Sequence, residues 1–308
     1  MTKFMNSIKD NMINERKNTE STAKTYLNKM ESLGGGPFMN LSFLKDKEKI
    51  EDRLNSYKNV NTKRSYATAI VSCLVSSGAS ESKIYKPLLK HYRGILDVLV
   101  KEVNGKPKNT KTDKQEDNWL EWDVILSRLS QLKDEVKGYT QESVSKSLLK
   151  RRTLTQYVLL ACYTLIPPRR NKDFQSMKLG PNKDDNFNWF DPEEKSFYFN
   201  NFKTVKTIGS QTLDIPDDLF TVLMNYVEYM DIEEGGFLIV DEDYKPMTNS
   251  ASITRQFNKI FPGIRLSTSM LRHIFLTETL GEDLEKREEL SKAMSHSITT
   301  QSAYILND

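Results

Sequence analysis

One polar stretch limits what this chain can fold into, because it divides the chain in two. Residues 104–118 read NGKPKNTKTDKQEDN and contain no large apolar side chain. Glycine, proline and many charges mark such a stretch as a solvated linker, since it offers nothing that a core could bury. The 308 residues are enough for two domains of ordinary size. We therefore predict one domain over residues 1–103 and a second over residues 119–308, joined by a linker over residues 104–118.

The first part of the chain carries apolar residues at helical spacing. Tyr66, Ile70, Cys73 and Leu74 recur at intervals of three and four, which places them on one helix face. Residues 1–20 are polar and predict a frayed segment or a short helix. Comparable patterns, with a Gly-Gly-Gly-Pro break after the first, cover residues 21–30, 46–57, 61–77 and 81–102. This part predicts an all-helical bundle.

The second part mixes helices with a small sheet. Phe197, Phe199 and Phe202 alternate roughly with polar residues, and Leu213 and Ile215 do the same beyond a Gly-Ser pair, which indicates a small antiparallel sheet. Helical patterns cover residues 119–137, 141–165, 217–230, 248–260, 267–280 and 284–295, with a last short helix around residue 304. The predicted fold class is mainly α, with an α+β second domain.

Composition excludes several classes of protein. No apolar run is long enough to span a bilayer, and the N-terminus lacks the apolar core of a signal peptide, so we expect an intracellular protein that is neither secreted nor membrane-bound. Cys73 and Cys162 lie far apart in apolar runs and are expected to be reduced core thiols. No zinc or calcium spacing occurs, so we expect no metal and no other cofactor. The net charge is only +3, but the chain has 45 basic residues, which are enough to form one basic face.

Two separated groups of residues suggest phosphodiester chemistry. Arg170 and Lys203 form the first, and Arg272, His296 and Tyr304 form the second. Two arginines, a lysine and a histidine can hold one phosphodiester and neutralise its transition state, because guanidinium forks match phosphate oxygens. A tyrosine beside them supplies a nucleophile. The set predicts cleavage of a DNA strand without a metal.

In this order the residues resemble the tyrosine recombinases, or phage-type integrases, over about residues 119–308. In that family a first arginine is followed three residues later by a carboxylate, as in Arg170 and Asp173. A lysine in a β-hairpin is often followed by threonine, as at Lys203. A His-x-x-Arg helix, a histidine or tryptophan and the tyrosine then follow. The first part is similar to the family's core-binding domain, with a weaker match.

The resemblance implies a role for each residue of the candidate catalytic site. Tyr304 would attack phosphorus and form a 3′-phosphotyrosyl ester, while Arg170 and Arg272 hold the phosphate oxygens. Lys203 would protonate the leaving 5′ oxygen. His296 would donate to a non-bridging oxygen or help to take the phenol proton. The structural partner that orients an arginine would be Asp173.

The resemblance also implies double-stranded DNA as the partner. A homotetramer would bind the DNA, and the free protein would be monomeric. The helix that starts near Asn61 would lie in the major groove, with backbone N–H groups and basic side chains on phosphates. Each of two assigned roles has a second candidate nearby in the sequence. Arg169 is the alternative to Arg170, and Lys206 is the alternative to Lys203. The candidate DNA-contacting residues are Lys63, Arg64, Lys24, Lys206, Arg169 and His273.

Two departures from the family pattern affect the expected activity. Ser269 stands where the family has the first histidine of His-x-x-Arg, and a serine cannot act as a base near neutral pH, so we expect slower chemistry. Four residues follow Tyr304, where many relatives carry a helix that docks on a neighbour, so the resemblance leads us to expect either that another element is exchanged or that the sequence is truncated.

Three functional interpretations remain open at this point. The first is a site-specific recombinase or integrase that cleaves and rejoins DNA. The second is a type IB topoisomerase-like enzyme that relaxes supercoils, and the third is a catalytically weakened DNA-binding protein of the same fold. The string Ile166-Pro167-Pro168-Arg169-Arg170-Asn171 resembles recombinases of large DNA viruses, their satellites and eukaryotic mobile elements.

Overall fold

The chain forms two compact units, Met1–Pro107 and Lys108–Asp308. The structure is a computed structural model and describes residues 1–105, 111–181, 184–280, 284–295, 297, 300–301 and 304. Each unit has its own hydrophobic core. The core of the first unit runs from Met5 to Tyr92, and the main core of the second from Ile125 to Ile274.

The first unit is helical throughout its described part. Thr2, Thr19 and Asn59 precede three of its helices, and their side chains accept backbone N–H groups of the first turn, as good N-caps do. Gly35 has a φ of 85° and ends the second helix in the left-handed region. The helices are α1 (Lys3–Asn14), α2 (Glu20–Gly34), α3 (Lys47–Asn55), α4 (Val60–Ser76) and α5 (Lys86–Asn104), with a 3-10 turn at Ser42–Lys45.

Helix α5 starts later than the predicted range 81–102, and two apolar residues of that range are exposed. Leu88 and Leu99 are buried, but Ile84 and Val98 remain 60% and 64% exposed. Ile84 lies in the turn before the helix, because α5 starts at Lys86. Val98 is one position from Leu99, so it lies about 100° away around the helix axis.

The second unit is also mainly helical. Its region 141–165, predicted as one helix, contains two, because the side chain of Ser147 accepts from the Lys150 N–H and starts a new helix. The described helices are α6 (Asp113–Glu116), α7 (Trp122–Val136), α8 (Gln141–Ser145), α9 (Leu148–Cys162), α10 (Asn171–Gln175), α11 (Val205–Ile208), α12 (Asp217–Tyr229), α13 (Ser250–Ile260), α14 (Thr268–Leu280) and α15 (Leu284–Ala293).

A four-stranded sheet lies among these helices, in the order β1-β2-β3-β4. Strand β2 pairs antiparallel with β3, and β3 with β4; Phe197 lies opposite both Phe190 and Leu213. Strand β1 adds a parallel pair with β2, so the sheet is mixed. The strands are β1 (Met177–Leu179), β2 (Asn188–Asp191), β3 (Ser196–Phe199) and β4 (Gln211–Asp214). The predicted fold class, mainly α with a small sheet, is confirmed, but the sheet was predicted to be antiparallel and is mixed.

The described part of the predicted linker is mostly exposed but contains local structure. Helix α6 forms one turn within it, and the side chain of Asn118 accepts from the Arg265 N–H at 2.6 Å. Trp119 packs against the core of the second unit. Residues 111–118 are therefore held by polar contacts that composition does not reveal, and residues 106–110 lie outside the described part.

Two further expectations concern the environment of the chain. Among the described residues, no helix combines the length and the apolar character needed to cross a membrane. Cys73 and Cys162 are unpaired and buried, as predicted. Burial raises the pKa of both thiols, that of Cys73 to about 12, so both stay protonated near pH 7.

Candidate active site

Helix α14 presents a buried arginine next to the predicted nucleophile. Arg272 is 5% exposed, and its Nη2 lies 3.4 Å from the Tyr304 hydroxyl and 3.4 Å from the Ser269 hydroxyl. The guanidinium carbon lies 5.2 Å from the centroid of the Tyr304 ring. Nε and Nη1 have no acceptor among the residues that the structure describes. Buried donors without acceptors cost free energy, so this guanidinium is ready to receive an anion.

His273 holds the backbone of Tyr304. Its Nδ1 lies 2.6 Å from the Tyr304 carbonyl oxygen, and the two rings meet edge to face at 4.8 Å. Because a carbonyl only accepts, Nδ1 carries the proton. Burial lowers the pKa of His273, which keeps the ring neutral near pH 7 and leaves Nε2 as an acceptor. The structure thus places this predicted DNA contact against the main chain of the predicted nucleophile.

Ser295, just after α15, joins three segments that carry candidate residues. It is fully buried and adopts a left-handed conformation, with φ at 57°. Its carbonyl oxygen accepts from Nη1 of Arg170 at 3.2 Å and from the hydroxyl of Thr204 at 2.8 Å. The start of α10 and the β3–β4 connection therefore meet at one carbonyl. The predicted His296 follows directly and lies outside the described residues.

Arg169 is part of the interior instead of the DNA-contacting surface that we expected. It is 1% exposed, and its Nε donates to Asp173 at 2.9 Å. Nη1 donates to the Ala293 carbonyl at 2.5 Å, while Nη2 donates to Gln211 at 3.1 Å and to the Ser295 hydroxyl. The guanidinium also lies 3.7 Å from the centroid of a phenylalanine ring, that of residue 199. All three nitrogens have protein acceptors, so a phosphate finds no donor there.

Asp173 is the buried carboxylate beneath the arginines. It is fully buried, and burial raises the pKa of its carboxyl group, while Arg169, Arg170 and Arg272 each act to lower it. All three guanidinium groups are thus near enough to interact with one carboxylate. Three positive charges against one negative charge leave a surplus, and that surplus suits a phosphodiester.

The β3–β4 connection carries both candidate lysines. Lys203 and Lys206 are exposed, the second within α11. The start of the connection is fixed by buried Asn188, whose Oδ1 accepts from the N–H groups of Asn200 and Asn201 at 2.9 and 2.7 Å. The Nδ2 of Asn188 donates to the carbonyls of Asp173 and Asn201. Our sequence reasoning missed Asn188, although a polar residue at the start of an apolar strand was a usable signal.

The candidate DNA contacts of the first unit lie on α2 and α4. Lys63 and Arg64 are half-buried in the first turn of α4, which Asn59 caps. Lys24 is exposed on α2 and forms an ion pair with Glu20 at 3.2 Å. Both members of that pair face solvent, so it is weak and leaves Lys24 able to exchange partners.

The resemblance of the chain to known proteins is weak. A crystal structure of XerA recombinase resembles the chain with a TM-score of 0.42 and 15% sequence identity, over 99% of this chain and 94% of that one. No protein-family model and no curated protein sequence matches. A likeness of this size carries no argument about function, so the proposal below rests on the geometry of the site and on the sequence pattern.

Proposed function

We propose that this chain is a site-specific DNA recombinase that cleaves and rejoins strands through a 3′-phosphotyrosyl intermediate. The observation that carries the proposal is the contact between Arg272 and the Tyr304 hydroxyl. A buried guanidinium with two nitrogens lacking acceptors in the described structure lies beside a phenol oxygen. The same cation can stabilise the attacking oxygen and the charge on the phosphate, and fixed donors of this kind are usually the largest catalytic term.

The reaction that we propose is a pair of transesterifications. The Tyr304 oxygen attacks phosphorus and forms a new ester, and the 5′ oxygen leaves with a proton from Lys203. Arg170 and Arg272 hold the non-bridging oxygens, and His296 keeps its expected role as donor or proton acceptor. A 5′ hydroxyl of the partner strand then attacks the phosphotyrosine and releases Tyr304. One ester replaces another in each step, so no nucleotide hydrolysis is needed.

Both units would contact duplex DNA in this proposal. Lys63 and Arg64, at the N-terminal turn of α4, would neutralise phosphates, as would Lys24 on α2 and Lys206 on the connection. The working form would be a homotetramer that holds two DNA sites, and it would act inside the cell. Integration of a mobile or viral element is one setting for such a reaction, and the narrower resemblance noted above favours it.

One observation favours a second candidate function, a DNA-binding protein of the same fold with weak catalysis. Ser269 replaces the family's histidine and receives only a 3.4 Å contact from Arg272. The hydroxyl can donate to a phosphate oxygen but cannot accept a proton near neutral pH. In this reading Arg272 binds phosphate and Tyr304 seldom attacks.

A nicked duplex that carries the cognate site tests the proposal. DNA flanking the gene supplies the site, and a nick near the cleavage point traps the covalent intermediate, because the cut fragment diffuses away. We expect an adduct and, with two intact duplexes, joined products. Relaxation of supercoils without joined products would favour the topoisomerase reading. Tight binding without any adduct would favour the weakened DNA-binding protein.

A further inference from the structure

We propose that Arg169 is a positioning residue for this active site, which it serves from the interior. The sequence assigned it a direct contact with DNA, and the enclosed guanidinium excludes that role. The inference rests on the proposed function in one respect only: the consequence for strand cleavage. The effect on the shape of the site is a property of the folded chain.

The contacts of Arg169 fasten the end of α15. Its guanidinium donates to the carbonyl of Ala293, the last residue of α15, and to the Ser295 hydroxyl. The Ser295 hydroxyl donates in turn to Oε1 of Gln211, whose Nε2 donates to the carbonyl of Lys292. The chain therefore leaves α15 through a hydrogen-bond network that is buried at Arg169 and Ser295 and reaches β4 at Gln211.

The ion pair between Arg169 and Asp173 fixes the guanidinium from which this network extends. Arg169 pairs with Asp173 four residues later, and neither residue is more than 1% exposed. Phe199 of β3 lies against the guanidinium at 3.7 Å, an attractive arrangement for a cation over a ring face. A planar fork with five donors can satisfy these acceptors together, and a lysine ammonium cannot.

The network determines the position of a carbonyl that two site residues use. Arg170 and Thr204 both donate to the carbonyl of Ser295. If the end of α15 moves, that carbonyl moves, and Arg170 loses its fixed position. Thr204 adjoins Lys203, so the proposed acid moves as well. Arg169 thus acts on the phosphate through Ser295, without touching it.

The test compares Arg169→Lys with Arg152→Lys. Arg152 also pairs with a carboxylate in the second unit, that of Glu242 at 3.1 Å. Glu242 is not among the acceptors of Arg169, so this pair is separate from the network. We expect Arg169→Lys to lower the adduct-forming rate at saturating DNA about 100-fold, as small displacements of catalytic groups do, with the half-saturating DNA concentration nearly unchanged. Arg152→Lys should keep the wild-type rate.

Gln211→Ala is the milder second variant, because it leaves the Arg169–Asp173 pair intact. We expect a smaller loss of rate with the same split between rate and affinity. A rate for both variants within about twofold of wild type at saturating DNA would overturn the inference.

Amide hydrogen exchange of DNA-free protein separates this inference from the proposed function. We expect faster exchange in the peptide spanning residues 290–295 for Arg169→Lys and Gln211→Ala, and wild-type exchange there for Arg152→Lys. Faster exchange in the two variants, together with a wild-type protein that never forms an adduct, would refute the proposed function and keep the network. Unchanged exchange in both variants would refute the network, whatever the activity.

Discussion

The buried charge of Arg272 adds little to the stability of the folded protein when no ligand is bound. Two guanidinium nitrogens have no acceptor among the described residues, and each unsatisfied buried donor costs about 1–3 kcal/mol. Arg169 is also buried, but every nitrogen has an acceptor, and its carboxylate partner is in contact. The first arginine is prepared for a ligand, and the second is satisfied by the protein.

This contrast predicts that the same substitution at the two arginines affects the free energy of unfolding differently. Arg272→Met should leave the free energy of unfolding unchanged or raise it, because it removes an uncompensated buried charge. Arg169→Met should lower it by about 3–5 kcal/mol, because it leaves Asp173 buried without its partner. Chemical denaturation of both variants measures this. Equal destabilisation of the two would show that Arg272 is satisfied within the fold.

The sequence could not distinguish the two adjacent arginines by itself. A spacing of three residues assigned Asp173 to Arg170, whereas the structure pairs it with Arg169 at a spacing of four. Arg170 is the residue just before α10, so the chain changes direction there and neighbouring side chains diverge. Lys203 was predicted on the connection between two strands, and the structure places it there because the flanking strands have clear alternation.

At the scale of elements, short segments held by side-chain contacts were the ones that the sequence did not reveal. The long helices follow from their apolar spacing, except that α5 starts later than predicted and leaves Val98 exposed. Strand β1 has three residues, too few to show a period, and its parallel pairing with β2 depends on the tertiary fold. Helix α6 has no buried residue, and among the described residues its capping and a hydrogen bond from Asn118 to the Lys114 carbonyl help to hold it.

Asn188 fixes the connection that carries Lys203, which gives an element-scale prediction. Asn188→Ala removes the acceptor of two backbone N–H groups and a donor to the Asp173 carbonyl. We expect a loss of about 2–4 kcal/mol of unfolding free energy, since several buried groups lose partners. Adduct formation should slow more than DNA binding weakens. Asn186→Ala, at an exposed position, is the control and should stay near wild type.

Glu242 links α9 and α13 and gives a prediction about pH. Burial would raise the pKa of its carboxyl group, but the backbone N–H, Lys259 and Arg152 outweigh burial and lower it to about 2. A carboxyl whose pKa is lower in the folded state stabilises the fold above its unfolded pKa, and this contribution is lost as pH falls towards 2.

Glu242→Gln should therefore destabilise the protein at pH 7, by about 1–3 kcal/mol after allowance for solvent screening. The difference from wild type should shrink between about pH 4.5 and pH 2. Urea unfolding at several pH values measures it, with the exposed Glu228→Gln as control. A difference that stays constant down to pH 2 would contradict the lowered pKa.

At the scale of the whole molecule, the net charge of +3 does not report where charge is concentrated. The second unit concentrates three arginines around one carboxylate, and the first carries Lys63 and Arg64 in the first turn of α4. The order of residues and the family resemblance proposed Arg170 and Arg272 for the phosphate, and the resemblance proposed Lys63 and Arg64 as DNA contacts. The sequence could not show that Arg169 is enclosed, because enclosure depends on α15 and β4, which lie far away along the chain.

Arg64→Ala tests the proposed participation of the first unit. We expect weaker DNA binding and a plot of log affinity against log salt that flattens by about one unit, as for one lost phosphate contact. Lys49→Ala is the control, since Lys49 is exposed on α3 near Asp46 and Asp52. Binding titrations at several salt concentrations decide it. An unchanged slope for Arg64→Ala would remove this residue from the interface.

The covalent intermediate is the central claim, and one measurement addresses it directly. Wild-type protein is incubated with the nicked duplex, the DNA is digested, and mass spectrometry locates the nucleotide remnant on the protein. We predict a 3′-phosphate remnant on Tyr304, lost in Tyr304→Phe and retained in the control Tyr229→Phe. A remnant on another residue, or an equal yield from Tyr304→Phe, would contradict the proposed function.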